Sequence, residues 1–341
     1  MMKNAPPVAD GAAARRARAP GAQREENGPR MRCRAFAAAA ALVFAVACAA
    51  AAEPPAGSKT PRGRPAPVTP ARPPDLPGAE RGWEAWAVAD AADGRVLAGE
   101  GLDRRWPQAS LSKLMLALVV LDAVAEGACS LEEPVVVSRR AQGMGGSQVF
   151  LRAGEVFPLE ELMRAALVES ANDAALAAAE HVAGSVEAFI DRMNRKAREL
   201  GMEDTAYASV HGLPPAPGLP DNVSTCRDLI RLARAAIERP QILAWTALVE
   251  TPFRGGSLRL HNKNRLVGRL PGVDGLKTGY TRRAGFNLVA TAAEDSRRLI
   301  VVVLGAPDPR VRDAFAAGKF TEFLRLEVRE PLAPAGRTLG G

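Results

Sequence analysis

A serine and a lysine lie three positions apart, at Ser110 and Lys113, at the start of a long apolar stretch. In a helix this spacing places both side chains on one face, about one turn apart. A serine hydroxyl is a poor nucleophile until a neighbouring base takes its proton, and a lysine is such a base only when burial or a nearby cation favours its neutral amine. The pair predicts a nucleophile and its base, although Ser110 also fits the simpler role of a helix cap.

Two further short motifs follow along the chain and strengthen this interpretation. Ser170-Ala171-Asn172 falls at a break between two helical segments, where side chains can project into a cleft. Lys277-Thr278-Gly279 falls on a predicted strand, where Lys and Thr suit a substrate carboxylate and Gly lets a substrate backbone approach. Each motif alone also fits an ordinary helix junction or an edge-strand lysine, but the three together predict a serine-based catalytic site.

The elements that would hold these residues are strands near both ends of the chain and helices between them. Apolar runs and alternation predict strands at residues 85–89, 95–97, 273–280, 285–292 and 299–304, the first two joined by a two-residue turn at Asp93-Gly94. Helical periodicity predicts helices at residues 110–125, 159–167, 174–182, 186–200, 225–237 and 311–326. This order predicts an α+β architecture in which distant parts of the chain share one sheet.

The positive charge of the chain is concentrated near its N-terminus. Residues 1–52 contain eight Lys or Arg and three Asp or Glu, which leaves +2 of the net charge of +7 for the other residues of the 341. A nearly neutral body without a basic and aromatic stripe argues against nucleic-acid binding. The three histidines lie in no zinc-hydrolase or classical triad pattern, so we predict no metal and no cofactor.

The N-terminal part has the order of an export signal. Residues 31–52 combine a basic start with an apolar run and small residues at its end, so we predict a signal peptide or a single N-terminal anchor. Residues 1–30 add nothing to such a signal, which makes Met31 an alternative start. A Pro-rich linker at residues 53–80, a catalytic domain at residues 81–326 and a tail at residues 327–341 complete the predicted organisation. The expected location is the periplasm or the cell-envelope exterior, with membrane attachment only through an uncleaved signal or a lipid on Cys48.

Residues 83–326 resemble the serine-type D-alanyl-D-alanine carboxypeptidases, which are low-molecular-weight penicillin-binding proteins. The resemblance lies in the three motifs with their flanking residues, and it continues in three intervening segments: residues 145–151, 211–213 and 284–290. It implies a penicillin-binding-protein/β-lactamase-like transpeptidase fold, an antiparallel sheet flanked by helices with an all-helical subdomain. It also implies trimming of peptidoglycan stem peptides that end in D-Ala-D-Ala, with β-lactams as inhibitors.

The resemblance assigns a role to each candidate residue. Ser110 would be the acyl nucleophile and Lys113 its base, Ser170 and Asn172 would relay the proton and orient the substrate amide, and the backbone N–H groups of Ser110 and Tyr280 would form the oxyanion hole. The substrate carboxylate would be held at the strand motif and by two further cations. These substrate-binding residues are Lys277, Thr278, Gly279, Arg312 and Lys263, of which the last stands where some relatives have arginine.

Three alternatives stay open beside the carboxypeptidase. An endopeptidase acting on D-alanyl crosslinks would present the same carbonyl to Ser110. A class A β-lactamase would need a glutamate in an E-x-x-L-N loop, and residues 206–221 contain no glutamate. A catalytically inactive cell-wall-binding scaffold would have no need of all the motif residues. The cysteines of the body, Cys129 and Cys226, fit either one disulfide or two separate thiols.

Overall fold

A five-stranded antiparallel sheet organises the computed structural model, which describes residues 82–213 and 220–324. Its strands lie in the order β2, β1, β11, β10, β9. Their bounds are β1 Ala85–Asp90, β2 Val96–Glu100, β9 Val273–Thr281, β10 Gly285–Glu294 and β11 Arg297–Ala306. Ala85 pairs with Leu304 in the register of β1 and β11, which confirms that distant parts of the chain share one sheet.

The central strand β11 is buried on both faces. Ile300, Val302 and Leu304 pack into one apolar core with the helices, whereas Val301 and Val303 pack into a second core beneath the last helix, α8 (Pro309–Leu324). A strand covered on both faces carries a continuous apolar run rather than an alternating one. The sheet is therefore the middle layer between a helical block and α8.

The helical block occupies the middle of the chain, as the periodicity predicts. Helix α1 (Ser112–Ala125) is buried on nearly all sides because apolar residues surround its whole circumference. The other helices of the block are α3 Leu159–Arg164, α4 Asn172–Ala183, α5 Val186–Glu199 and α6 Cys226–Ile237. Side chains of Ser185 and Thr225 cap α5 and α6 by accepting main-chain N–H bonds.

The structure differs from the predicted elements in several places. The predicted two-residue turn is wrong, since the connection from β1 to β2 comprises residues 91–95, with Asp90 and Asp93 accepting the main-chain N–H groups of Ala92 and Arg95. The first helix begins as a 3₁₀ turn at Ala109–Leu111. Short elements too small to show a period were not predicted: β3 Trp106–Pro107, β4 Pro134–Val136, α2 Arg139–Gln142, β5 Val156–Pro158, β6 Val223–Ser224, α7 Pro240–Thr246, β7 Glu250–Phe253 and β8 Leu258–His261.

Several predictions fall on residues that the structure does not describe. The leader, the signal with Cys48, the Pro-rich linker and the tail lie outside the described residues. Within residues 82–213 and 220–324, no helix has the length and apolar character that a bilayer span requires. Cys129 and Cys226 are both free thiols, so of the two alternatives the structure contains separate thiols rather than a disulfide.

Candidate active site

Ser110 and Lys113 meet at the start of the buried helix. The 3₁₀ turn carries Ser110, and one turn later Lys113 points back along the same face. The Lys113 amine donates to the Ser110 hydroxyl oxygen at 2.9 Å, to Asn172 Oδ1 at 2.7 Å and to the carbonyl oxygen of His211 at 3.0 Å. The Lys113 side chain is fully buried. These contacts hold an amine against the hydroxyl that it would deprotonate.

The environment of Lys113 lowers its pKa well below the usual value for lysine. Burial is the largest cause, because a desolvated ammonium is disfavoured, and the nearby Lys277 adds repulsion. The carboxylate of Asp173 opposes both effects. Lys113 is therefore a lysine that can lose its proton far more easily than one in water, as a general base requires.

The second motif follows a tight break in the helical block. A π-helical turn at Ala165–Glu169 ends at Ser170, which has the left-handed φ of 67°. Helix α4 then starts at Asn172, whose Nδ2 donates to the carbonyl oxygen of Gly145 at 2.7 Å and so turns Oδ1 towards Lys113. Ser170 lines the cleft in front of Ser110. The predicted helix junction thus presents Ser170 and Asn172 on the same side as Ser110 and Lys113.

Strand β9 forms the opposite wall and carries the third motif at the edge of the sheet. Lys277 is 1% exposed, and its amine donates to the carbonyl oxygen of Thr278 at 3.2 Å. Burial, followed by repulsion from Lys263 and Arg312, lowers the pKa of Lys277 to about 7. Thr278 and Gly279 line the cleft directly. The strand presents one hydroxyl and, behind it, one buried amine.

The remaining predicted residues surround a cleft of about 420 Å³. Tyr280 is 54% exposed at its mouth and stacks on Phe286 with ring centroids 4.2 Å apart. Arg312 is buried at one end and donates to Asp313 Oδ1 at 2.6 and 2.8 Å and to the carbonyl oxygen of Asn287 at 3.3 Å. Lys263 also lines the cleft, and its amine forms an ion pair with Glu169.

The structure brings all ten predicted site residues to one region. Seven of them line the cleft: Ser110, Ser170, Lys263, Thr278, Gly279, Tyr280 and Arg312. Lys113, Asn172 and Lys277 are buried behind them. No group of three or more His, Cys, Asp or Glu side chains in the described part of the chain is arranged to hold a metal ion. The arrangement suits acyl transfer by a serine that has a buried amine as its base.

Sequence reasoning missed the contribution of His211. Its carbonyl oxygen accepts hydrogen bonds from the Lys113 amine and, at 3.3 Å, from the Ser110 hydroxyl. Its imidazole is buried, and burial together with the positive Lys113 lowers its pKa to about 3. The imidazole is therefore neutral near pH 7, and it is the main chain of His211 that contacts the nucleophile.

Two glycines lie against the main chain around Ser110 from opposite sides. Gly212 has φ +88°, and a Cβ atom there would lie 1.9 Å from the carbonyl oxygen of Ala109. On the other side, a Cβ atom at Gly279 would lie 2.7 Å from the carbonyl oxygen of Gln108. Only glycine permits such approaches. The sequence predicts glycine at position 279 because a substrate backbone must approach there. The structure adds a second reason, which is the close approach of the 3₁₀ turn.

Comparisons with known proteins show the family of the chain. Residues 75–308 match the model of the peptidase family S11, described as D-alanyl-D-alanine carboxypeptidase. The chain is 40% identical over 236 residues to D-alanyl-D-alanine carboxypeptidase DacC of Escherichia coli, covering 67% of this chain and 58% of the relative. It is 36% identical over 224 residues to DacF of Bacillus subtilis, covering 65% of this chain and 57% of the relative. The match thus spans somewhat more than half the length of these relatives.

Solved structures show the same fold. Penicillin-binding protein 6B from Escherichia coli superposes with a TM-score of 0.64 at 33% identity, covering 71% of this chain and 77% of that one. Penicillin-binding protein D2 from Listeria monocytogenes, in its ampicillin-bound form, superposes with a TM-score of 0.63 at 31% identity, covering 71% of this chain and 97% of that one. The α+β transpeptidase-like fold implied by the sequence resemblance is thereby confirmed.

Proposed function

Because this chain belongs to the S11 family of D-alanyl-D-alanine carboxypeptidases, we propose that it removes the terminal D-alanine from peptidoglycan stem peptides through an acyl-enzyme on Ser110. The observation that carries this proposal is the buried Lys113 amine, 2.9 Å from the Ser110 hydroxyl oxygen. A reactive serine needs a base in contact with it, and this lysine has its pKa lowered for that task.

The contact between Lys113 and Ser110 supports the following acylation steps. Lys113 takes the hydroxyl proton while Ser110 Oγ attacks the carbonyl carbon between the two D-alanines. We assign the stabilisation of the oxyanion to the main-chain N–H groups of Ser110 and Tyr280, as the family resemblance implies. The C–N bond then breaks, the leaving amine receives a proton from Lys113 through the hydroxyl of Ser170, and D-alanine departs. Water hydrolyses the ester and restores Ser110.

The other end of the cleft suits the terminal carboxylate. Thr278 offers a hydroxyl donor, and the amine of Lys277 and the guanidinium of Arg312 lie close behind it. Arg312 donates to Asp313 and Asn287, so its guanidinium is held in one orientation. Arg312 and Lys263 each contribute less net positive charge than a free cation, because Asp313 and Glu169 pair with them. An anchored carboxylate at this end places the scissile carbonyl in front of Ser110.

Benzylpenicillin provides the direct test, because a β-lactam acylates the same serine. We expect intact-mass spectrometry of the full chain to show a long-lived adduct of one penicillin. The penicilloyl ester should be hydrolysed slowly, since residues 206–221 contain no glutamate to activate a deacylating water. Ser110→Ala, which removes only the nucleophilic oxygen, should form no adduct.

The other outcomes separate the remaining alternatives. Rapid drug hydrolysis without an adduct would mean a β-lactamase, and intact drug without an adduct would mean a scaffold. Release of D-alanine from a pentapeptide, compared with cleavage of a crosslinked dimer, distinguishes a carboxypeptidase from an endopeptidase. We expect the terminal residue to be released preferentially.

We also infer that the protein works outside the cytoplasmic membrane. The pattern of residues 31–52, basic and then apolar with small residues at its end, supports export. Retention of this segment or a lipid on Cys48 would attach the protein to the membrane. The size of the exported protein, measured by mass spectrometry, would show whether the signal is removed.

A further inference from the structure

Asp173 is a buried carboxylate next to Asn172 that the proposed mechanism does not use. It is the second residue of α4 and is fully buried. Its oxygens accept main-chain N–H groups from Val149 at 3.1 Å, from Leu151 at 3.0 Å and from Ala174 at 2.9 Å. Burying a carboxylate is costly unless hydrogen-bond donors replace its hydration, and these three main-chain N–H groups do so for Asp173.

The N–H donors belong to a loop that also contacts Asn172. We define the loop as residues 145–151, in which Phe150 takes the left-handed φ of 56° between the two donors, Val149 and Leu151. The carbonyl oxygen of Ser147 accepts the Asn172 N–H at 2.7 Å. The carbonyl oxygen of Gly145 accepts Asn172 Nδ2, also at 2.7 Å. Asp173 and Asn172 therefore hold the same loop at neighbouring points.

The loop decides which way the Asn172 amide faces. Because Nδ2 donates to a loop carbonyl, Oδ1 is the atom left to accept from the Lys113 amine, at 2.7 Å. A reversed amide would set its NH₂ group against the lysine donors. Contact is so close that a Cβ atom at Gly146 would lie 2.8 Å from Asn172 Nδ2. A shift of the loop would move the partner of the base.

We propose that Asp173 is a positioning residue for acylation: its buried carboxylate fixes the loop at residues 145–151, and through that loop it orients the Asn172 amide towards Lys113. The inference rests on the proposed function and adds a residue to it. Asp173 also acts through space, because its charge favours the protonated form of Lys113. The charged or titratable groups that face Lys113 are then Lys277 from β9, Asp173 from α4 and His211 from the loop before residue 214.

The test compares Asp173→Asn with Asp228→Asn in the full chain. Asp228 is the control: it is also buried near the start of a helix and accepts a main-chain N–H, from Asp204 at 2.9 Å. It pairs in addition with Arg231 and lies on α6 outside the cleft. We expect Asp173→Asn to slow acylation by a fluorescent penicillin about tenfold or more, because the amide's NH₂ group opposes a loop donor. The acid limb of its pH profile, where the acylation rate rises with pH, should also lie at lower pH than in the wild type. The reason is that losing the negative charge lowers the pKa of Lys113 further.

A merely structural role would give a different result. If Asp173→Asn and Asp228→Asn had equal acylation rates per folded molecule and the same acid limb as the wild type, the proposal would be overturned. Gly146→Ala serves if Asp173→Asn does not fold: it pushes the loop away from Asn172 but keeps the charge, so we expect slow acylation with an unshifted acid limb. Full acylation by Gly146→Ala would contradict the proposal. A wild type that forms no adduct at all would instead refute the proposed function.

Discussion

At the scale of single residues, the amine of Lys277 connects function to stability. It is buried at the sheet edge, where burial and two neighbouring cations lower its pKa to about 7, with Glu169 as the opposing charge. In the unfolded chain the same amine has the ordinary value of 10.5. Between these two values the unfolded chain binds a proton that the folded chain does not. Lys277 therefore makes the unfolding free energy of the protein depend on pH over this range.

Lys277→Met should stabilise the fold while weakening carboxylate binding. The substitution removes a charge whose burial is unfavourable and keeps a flexible chain of similar volume. In the wild type the contribution of Lys277 to the free energy of unfolding rises from about pH 7 to about pH 10.5 and is constant below about pH 7. The advantage of the variant should thus be full below about pH 7 and shrink as the pH rises.

Urea unfolding of both proteins across this pH range measures the effect. Lys319→Met is the control, because it removes a half-buried lysine on α8 that pairs with Glu322 outside the cleft. Its profile should run parallel to the wild type. A parallel profile for Lys277→Met as well would show that the burial of Lys277 does not penalise folding.

Contacts between site residues were predictable from the sequence where the residues lie within one turn of the same helix. The separation of Ser110 and Lys113 is such a case, since the helical repeat alone brings them together. The contact of Lys113 with the His211 carbonyl could not be predicted in this way, because every residue has a main-chain carbonyl and its side chain does not show which one will be used. The ion pair of Lys263 with Glu169 was equally hidden, since the two residues lie far apart along the chain.

At the scale of elements, the 3₁₀ turn that carries Ser110 is contacted closely by neighbouring segments of the chain. Gly279 of β9 and Gly212, in the segment before residue 214, contact the main chain of the turn from two sides. Asn222 adds a tie, since its Nδ2 donates to Ser112 Oγ at 2.8 Å and to the carbonyl oxygen of Ser209 at 2.8 Å. The position of the nucleophile is therefore set by residues of three different segments.

Gly212→Ala should displace the nucleophile and abolish acylation by penicillin. The new methyl group would overlap the carbonyl oxygen of Ala109, so either the loop or the turn must move. Gly154→Ala is the matched control, because Gly154 has nearly the same φ, +87°, with no atom within 4 Å of an added Cβ. We expect Gly154→Ala to cost about 1 to 2 kcal/mol of stability from backbone strain alone.

Thermal unfolding and acylation rates of the two variants separate strain from displacement. Gly212→Ala should lose more stability than Gly154→Ala, and only Gly212→Ala should lose acylation. If both variants acylated at the wild-type rate, the contact between Gly212 and the 3₁₀ turn would have no functional part.

At the scale of the whole molecule, the sheet is a shared layer between two apolar cores. Val302 of β11 packs into the core with the helical block, whereas Val301 packs into the core beneath α8. The long apolar run made this strand predictable. The short strands and α7 were not, because two to seven residues do not define a period and tertiary contacts decide their form.

Val301→Ala and Val302→Ala should destabilise the protein to a similar extent. Each removes two buried methyl groups from a side chain with no exposed surface, and we expect a loss of about 2 kcal/mol in the free energy of unfolding. Val136→Ala on the exposed face of β4, where the side chain is 65% exposed, should change it by less than about 0.5 kcal/mol. Chemical denaturation of the three variants gives these values. A near-neutral Val301→Ala would mean that α8 contributes no separate core.

The register of the sheet has a consequence for how the protein is made. Strand β1 leaves the ribosome early, but the partner of Ala85 is Leu304, which emerges only when nearly all of the described chain has been synthesised. Until then β1 has no β11 to pair with, and the middle layer cannot close. The sheet therefore closes only after nearly all of the described chain has been synthesised, so its completion is a late step in making the protein.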